Sequence, residues 1–362
     1  MITEPSIQQI RDLPIMDIIE RYPVKFRQKG KTACCPFHNE NTPSFHVHQA
    51  KGIFKCFGCG VSGDGIAFVM RIDNLDFIGA VERIAGLLRI ELEYTKDYDK
   101  EAYKKQREER KSYREILQQA QDWFVQKLHK SQAPLQYLQE KRGYNLDTML
   151  KWGLGWGGDE WRELTEALKQ KTDLPSLVKL SLSVEQEQGR ARDNFMRRIT
   201  FPLRDEYGEL VGFAGRVITK EEEDKYKKYK NSDVNPLYKK SATLFGLYEA
   251  KPAIKKLGYA VIVEGYTDVI SMHAAGAENA VGTGGTALTE EQCRILKRLT
   301  NTIVIWRDND KAGLKAVSSD MEKLIGLGFR VEVIIAGEDG NDPDNIARQY
   351  FPEPVKEEVE SE

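Results

Sequence analysis

Long apolar runs are missing from this chain. No segment approaches the ~20 consecutive apolar residues that a membrane-spanning helix needs. The opening residues, MITEPSIQQIRDLPIMDIIERYP, lack the basic stretch followed by an apolar one that marks a secretion signal. Cysteine is scarce, five in 362 residues. The number is odd, which disfavours a disulfide scaffold and suits a reducing cytoplasm. Net charge is nearly absent too, because 54 basic and 56 acidic side chains leave a formal −2. As a sum, that argues against a polyanionic partner, but the sum says nothing about distribution. A 40% hydrophobic content fills cores and excludes globally disordered and collagen-like classes. The length suits two or three domains.

The few cysteines are not scattered. Cys34, Cys35, Cys56 and Cys59 lie within 26 residues, in CCPFHNENTPSFHVH and KGIFKCFGCG. Cys35-x2-His38 and Cys56-x2-Cys59 make two short pairs separated by 17 residues. Each pair can turn two ligand atoms toward one ion, and the gap suits a hairpin that joins the pairs. Four N/S ligands in a closed shell is the arrangement of structural zinc. Buried free thiols with a surface histidine are the competing reading, and the paired spacing opposes it. Adjacent side chains diverge, so Cys35 rather than Cys34 is taken as the ligand. Gly58 and Gly60 suit the tight second knuckle. Cys293, in EEQCRILKRL, reads as a small core hydrophobe, and His46 and His48 read as exposed.

Charge around these knuckles is one-sided. Residues 21–60 hold Arg21, Lys25, Arg27, Lys29, Lys31, Lys51 and Lys55 against Glu40 alone, with Phe26, Phe37, Phe45, Phe54 and Phe57 between them. Cations with aromatic faces suit a single strand, whose phosphates need charge and whose bases stack. Some of the five rings must instead fill the core. Together, CPFHNENTPSF and KCFGCGVSGDGIAFVM resemble the zinc-binding domain of DnaG-type bacterial primases, densely over about 35 residues. The resemblance implies a zinc ribbon that reads template DNA.

Helical spacing over 64–95 (Ile66, Phe68, Val69, then Ala80, Val81, Ile84, Ala85, Leu87, Leu88) closes this first domain, 1–95. Residues 96–115, KDYDKEAYKKQREERKSYRE, are almost wholly polar and read as a solvated linker, with a helix carrying i,i+4 pairs as the alternative, and a domain boundary near 96–110. A folded unit resumes at Ile116. In the middle of the chain, FMRRITFPLRDEYGELVGFAGRVI reads as two strands around a turn, and the run KYKKYKNSDVNPLYKKSATLFGLYEA follows it. Such a run is ordinarily a solvated face. These segments also resemble the basic half of the DnaG catalytic core. That resemblance implies contacts to template or incoming triphosphate for Arg142, Arg198, Arg204, Arg216, Lys228, Asn231 and Lys240.

The last third alternates strands and helices, the α/β pattern of a parallel sheet. AVIVEG ends in Glu264, NTIVIWRDND ends in Asp308 and Asp310, and the last strand precedes Asp342 and Asp344. Functional groups of such sheets gather beyond the carboxyl ends of the strands. Crowded carboxylates need a cation to stay ionised, and oxygen ligands suit Mg2+ or Mn2+. Any one of these acidic turns could be a plain polar loop, but three strand ends together favour a metal site. EGYTDV, GTGGTALT and RDNDKAG resemble the TOPRIM domain in its DnaG form. The resemblance adds Asp268, Asp342 and Asp344 to Glu264, Asp308 and Asp310 as metal-holding acids. One departure is Trp306-Arg307-Asp308-Asn309-Asp310, where the family carries an aromatic residue before Asp-Gly-Asp. Arg307 thus enters beside the acids as a cation.

The expected fold class is multidomain α+β and α/β. Its parts are a zinc ribbon (1–95), a linker (96–115), a mixed basic subdomain (116–255), a TOPRIM parallel-sheet subdomain (256–350) and an acidic tail (351–362). The expected activity is that of a DNA primase, a DNA-dependent RNA polymerase using single-stranded DNA template, ribonucleoside triphosphates, one structural Zn2+ and catalytic Mg2+ or Mn2+. The family implies a replicative helicase as partner, in a bacterial or phage-infected cell. The chain stops about where TOPRIM stops, which points to a short phage- or mobile-element-type form, with a truncated chain as the alternative. The competing functions are a TOPRIM nuclease or topoisomerase-like enzyme and a catalytically weak single-strand-binding module, the latter prompted by Arg307.

Overall fold

The structure, a computed structural model, describes residues 1–27, 32–73, 75–186, 190–285, 287–307, 311–334 and 342–351. It divides into two compact units, Met1–Lys104 and Lys105–Glu362. No described helix is long and apolar enough to cross a membrane.

In the first unit four short strands form an antiparallel sheet in chain order. They are β1 (Thr32–Ala33), β2 (Phe45–His48), β3 (Ile53–Cys56) and β4 (Ser62–Gly63). FHVH and IFKC alternate in polarity, and successive strand side chains face opposite ways. Phe45, Val47, Phe54 and Cys56 are accordingly buried. The Phe45 and Phe54 rings stack at 5.2 Å, and Phe68 meets Phe54 edge-on at 5.7 Å. Phe68 comes from the helix Gly65–Ile72, which is followed by the helix Phe77–Leu88. Each begins at an aspartate, Asp64 or Asp76, that accepts a first-turn N–H at 2.7 or 2.8 Å.

The five interleaved phenylalanines therefore divide. Phe45 and Phe54 are core, Phe37 packs on both, and Phe26 is partly buried. Phe57 alone of the five stands in solvent, 65% exposed. His46, His48 and Cys34 are exposed, and Cys293 is buried in the second unit.

From Lys100 onward, the expected linker takes its helical alternative as part of one 30-residue helix, Lys100–His129, and the boundary between the units falls within it. Its polar half buries Tyr113 and is otherwise held by side-chain pairing. Arg110 donates to the Pro236 carbonyl at 2.9 Å, Lys179 donates to Glu109 at 2.9 Å, and Arg114 faces Glu209 at 3.6 Å. Its apolar half buries Ile116, Leu117, Ala120, Phe124 and Leu128 at helical spacing.

The second unit continues with β5 (Gly155–Trp156) and a separate antiparallel pair, β6 (Ser183–Glu185) and β7 (Ala191–Asp193). Then β8 (Ile199–Arg204), β9 (Leu210–Arg216) and β10 (Tyr229–Asn231) join β5 in an antiparallel sheet of order β10-β9-β8-β5. The last sheet is parallel throughout. It contains β11 (Tyr259–Val263), β12 (Ala280–Gly282), β13 (Thr302–Trp306) and β14 (Arg330–Ile334), in the order β12-β11-β13-β14. The chain leaves β11 toward one edge and β13 toward the other, so the ends of these two strands form the switch point of the sheet. A ring cluster fastens the two sheets together. Phe201 of β8 stacks on Tyr266 at 5.5 Å, Phe245 meets Tyr266 edge-on at 5.0 Å, and Trp152 stacks on Phe245 at 5.2 Å.

Candidate functional site

In the first unit, Cys35 and His38 precede β2, Cys56 ends β3, and Cys59 lies in the knuckle after it. Their ligand atoms all fall within 4.8 Å of one another. The Cys35 and Cys59 sulfurs are 3.8 Å apart, and the Cys56 sulfur is 3.9 Å from His38 Nδ1. The other imidazole nitrogen, Nε2, faces Glu40 at 3.2 Å. That leaves Nδ1 to the ligand cluster. Glu40 also accepts from the Cys35 N–H at 2.7 Å and from the Ser44 N–H at 3.0 Å. The Ser44 hydroxyl, ahead of these amides, holds Glu40 below its ordinary pKa. Gly58 is required by close approach, since a Cβ there would lie 2.8 Å from His38 Nε2 and from Ser44 Oγ. Burial pushes the Cys35 thiol up to about 12. A soft cation reverses that cost by binding the thiolate, and three sulfurs with one imidazole fit zinc.

In the second unit a cleft of about 250 Å3 opens at the switch point. Glu264, Asp268, Asp342 and Asp344 line it together with Arg142 and Lys228. Glu264 immediately follows β11, and its side chain is 39% exposed. Its carbonyl accepts from the N–H groups of Gly284 and Gly285, both at 3.1 Å. Both glycines have positive φ, 69° and 74°. This turn, after β12, is where the sequence needs glycine. Asp268 is buried in the first turn of the helix Tyr266–Ala274 and accepts from the Gly265 N–H at 2.7 Å. Asp342 caps the helix Pro343–Arg348, accepting from the Asn345 N–H at 2.7 Å. Asp344 is almost fully buried. It is ion-paired with Arg142, lies 3.6 Å from Arg348, and accepts from the Ser271 hydroxyl at 2.5 Å. Asp308 and Asp310 lie outside the described residues.

A second cleft, of about 910 Å3, shares Tyr229, Gly284 and Gly285 with the first. Arg198, Asn231 and Lys240 line it, as do Arg192, Arg197 and Lys230. Arg197 and Lys230 belong to the basic segments FMRRITFPLRD and KYKKYK, though not to the positions the resemblance implied, while Arg192 sits on β7, in a segment with no motif of its own. Burial, followed by the neighbouring Arg192 and Arg198, pulls Lys230 below its ordinary pKa, and burial does the same to Lys240. Cations crowded in this way favour an anionic ligand. Arg204 and Arg216 line neither cleft. Arg204 donates to the Gly208 carbonyl at 2.9 Å within its own hairpin. Arg216 is buried between the rings of Tyr137 and Tyr229, 5.5 Å from each.

Arg307, the departure noted above, is buried and turned away from the open cleft. Its Nε and Nη2 donate to Asp320 at 3.1 and 2.5 Å, and its Nη1 donates to Thr283 at 3.1 Å. Nη1 remains 3.9 Å from Glu264.

Family models match the chain in three consecutive stretches. A CHC2 zinc finger covers residues 2–100, the N-terminal domain of the DNA primase catalytic core covers 123–251, and a Toprim-like domain covers 261–347. A DNA primase of Clostridium acetobutylicum is 37% identical over 96% of this chain and 57% of its own length. One from Aquifex aeolicus is 35% identical over 97% of this chain and 68% of its own length. The chain spans 57–59% of the length of the primases of C. acetobutylicum, Halalkalibacterium halodurans and Geobacillus stearothermophilus. Among solved structures, the zinc-binding and RNA polymerase domains of the A. aeolicus primase match with a TM-score of 0.61 and 32% identity, over 96% of this chain and 82% of that one. A DnaG primase catalytic domain bound to ssDNA matches with a TM-score of 0.60 and 29% identity, over 67% of this chain and 79% of that one. The fold that the motifs implied, a zinc ribbon followed by a basic sheet and a TOPRIM parallel sheet, is thus the fold of these relatives, and the chain belongs to the DnaG family of DNA primases.

Proposed function

We propose that this chain synthesises short RNA primers on single-stranded DNA template from ribonucleoside triphosphates. The observation that carries the reading is the joining of two clefts, one lined by carboxylates at the sheet's switch point and one lined by arginine and lysine, through Tyr229, Gly284 and Gly285. A polymerase needs both, a track for a polyanion and an acidic site for the cations that act on phosphate. The similarity to a primase domain bound to ssDNA supports the same assignment.

In this reading Glu264, Asp308, Asp310, Asp342 and Asp344 hold Mg2+ or Mn2+. The ions supply a lowered hydroxyl pKa and neutralise charge on the reacting phosphate. The bond formed joins a 3′ oxygen to the α-phosphorus of the incoming nucleotide, and pyrophosphate leaves. Asp268 fixes the turn that presents Glu264. Lys228 offers its ammonium to the triphosphate, while Arg142 acts largely through Asp344. Arg198, Asn231, Lys230 and Lys240 hold template phosphates. Arg204 and Arg216 support these clefts from behind. The ribbon carries one zinc and presents Phe57 and its surrounding cations to the template.

The test uses single-stranded template, four ribonucleotides and Mg2+ or Mn2+, with Glu264→Gln and Asp310→Ala as controls. Template-dependent oligoribonucleotides lost in both variants support the reading. DNA cleavage, or binding without synthesis, overturns it.

A further inference from the structure

A buried arginine one residue before the proposed metal acids poses a problem. An unpaired guanidinium there would take a nearby carboxylate, and among the described residues the nearest one in the cleft is Glu264, at 3.9 Å. Ion pairing with Glu264 would compete directly with a divalent cation. The structure shows what keeps that ion pair long, at 3.9 Å and without a hydrogen bond. Asp320, on the helix Lys311–Gly326, is fully buried and takes two of the Arg307 donors on a single oxygen, Oδ2. Its other oxygen accepts from the Leu288 N–H at 3.0 Å, which fixes the carboxylate from behind. Thr283 takes Nη1. Glu264 is left at 3.9 Å, beyond hydrogen-bond reach, with its side chain still open to the cleft.

We propose that Asp320 is a positioning residue that keeps Arg307 neutralised and off Glu264, so that Glu264 stays available to the divalent cation. The pair also ties three elements of the site together. Arg307 follows β13, Thr283 follows β12, and Leu288 closes the glycine-rich turn whose amides hold the Glu264 carbonyl. Arg307 and Asp320 thus work as a unit. Changing Asp320 alone creates a fault at Glu264, and removing both charges while keeping an acceptor for Leu288 removes it.

This inference rests on the proposed metal role of Glu264, so its test reads metal binding directly. Mn2+ binding by calorimetry, together with the Mg2+ dependence of primer synthesis, is measured on wild type, Asp320→Asn and the double variant Arg307→Met/Asp320→Asn. Asn keeps the shape of Asp320 and an acceptor for Leu288, which guards against simple unfolding. Asp320→Asn is expected to weaken Mn2+ binding about ten-fold, to raise the half-saturating Mg2+ in parallel, and to approach the wild-type rate at high Mg2+. The double variant is expected to regain wild-type Mn2+ affinity. Unchanged Mn2+ affinity in Asp320→Asn, or a double variant as weak as the single one, overturns the proposal. A wild-type chain that neither binds Mn2+ nor makes primers overturns the functional reading itself, and that outcome is seen without any variant.

Discussion

Arg142 and Asp344, 202 residues apart in sequence, form one ion pair at the wall of the acidic cleft. The pair sits in a longer network. Tyr137 lies under the Arg142 guanidinium at 5.7 Å, its hydroxyl accepts from Arg142 Nε at 3.0 Å, and the same hydroxyl accepts from Arg216. On the far side, Ser271 donates to Asp344 and shares a 3.1 Å hydrogen bond with the buried hydroxyl of Tyr144. An arginine that sequence reasoning assigned to template or triphosphate is therefore already engaged in holding a carboxylate. Removing Asp344 strands a mostly buried cation, a change that costs about 3–5 kcal/mol. Asp344→Ala is expected to lower the unfolding free energy of the second unit by that order, read as a lower urea midpoint, as well as to lower synthesis. Glu264→Gln, at a half-exposed residue, is expected to lower synthesis with a stability change below about 0.5 kcal/mol. Equal midpoints for the two variants would show that the pair does not hold the cleft wall.

His273 gives the second unit a pH dependence. Burial pulls its pKa from 6.5 down to about 4, and its Nε2 lies 2.9 Å from the Ala280 carbonyl. The neutral ring is the form that fits the core. Between pH 6.5 and 4 the unfolded chain binds a proton that the folded one refuses, so stability falls as pH falls through that window. The full effect is about 3 kcal/mol, present above pH 6.5. Asp193, Asp205 and Glu249, raised by burial, push the other way over part of the same range. The informative measurement is thus a difference. Urea midpoints of wild type and His273→Gln are compared at pH 7.5 and pH 5. The wild type is expected to lose stability relative to the variant on going to pH 5, and parallel curves would exclude the histidine as the cause.

These two networks mark the limit of what the sequence made legible. The zinc quartet was readable because its ligands come in two local pairs whose spacing carries the geometry. The strand ends were readable because Glu264 closes an apolar run, and an α/β sheet gathers such residues at one edge. The double role of Arg142 was not readable, since nothing near residue 142 announces residue 344. Arg307 was legible as a cation beside acids but not as a paired one, because its partner is thirteen residues on, in a helix whose register decides where Asp320 points. Arg192 reaches the basic cleft from a two-stranded hairpin without any motif. The 96–115 stretch left linker and helix both open for a related reason. A helix held by Arg110, Glu109 and Arg114 pairing across to other segments shows no continuous apolar stripe, so its composition suits either.

The zinc quartet yields a prediction about folding. Each thiol that binds metal must first lose its proton, and burial pushes the Cys35 thiol up to about 12. Metal binding outweighs that cost, and its free energy, on the order of 10 kcal/mol in small zinc domains, stabilises the folded first unit. Cys56→Ser is expected to reduce zinc from one per chain to none and to abolish the cooperative unfolding of the first unit. The transition of the second unit should remain. Elemental analysis and near-UV dichroism read the two effects separately. A chain that loses zinc and keeps both transitions would show that the Phe45–Phe54–Phe68 core suffices without metal.

The phenylalanines of the ribbon separate core from contact. Phe54 is fully buried against Phe45 and Phe68, so Phe54→Ala should cost about 3–5 kcal/mol in stability through the cavity it leaves. Phe57 is different. It stands 65% exposed, with Lys55 Nζ 4.9 Å above its ring and His46 edge-on at 5.0 Å. A ring held open beside a cation offers a base its face and the adjoining phosphate a charge. Stacking of one base on such a ring is worth about 1–3 kcal/mol, so Phe57→Ala should weaken single-stranded DNA binding about 5- to 150-fold with an unchanged unfolding midpoint. Lys55→Ala should instead lower the slope of log affinity against log salt by about one phosphate contact. Fluorescence anisotropy with a short oligonucleotide, at several salt concentrations, distinguishes them. Phe57→Ala binding at wild-type affinity would leave the ribbon's cations, without its aromatic face, as the template contact.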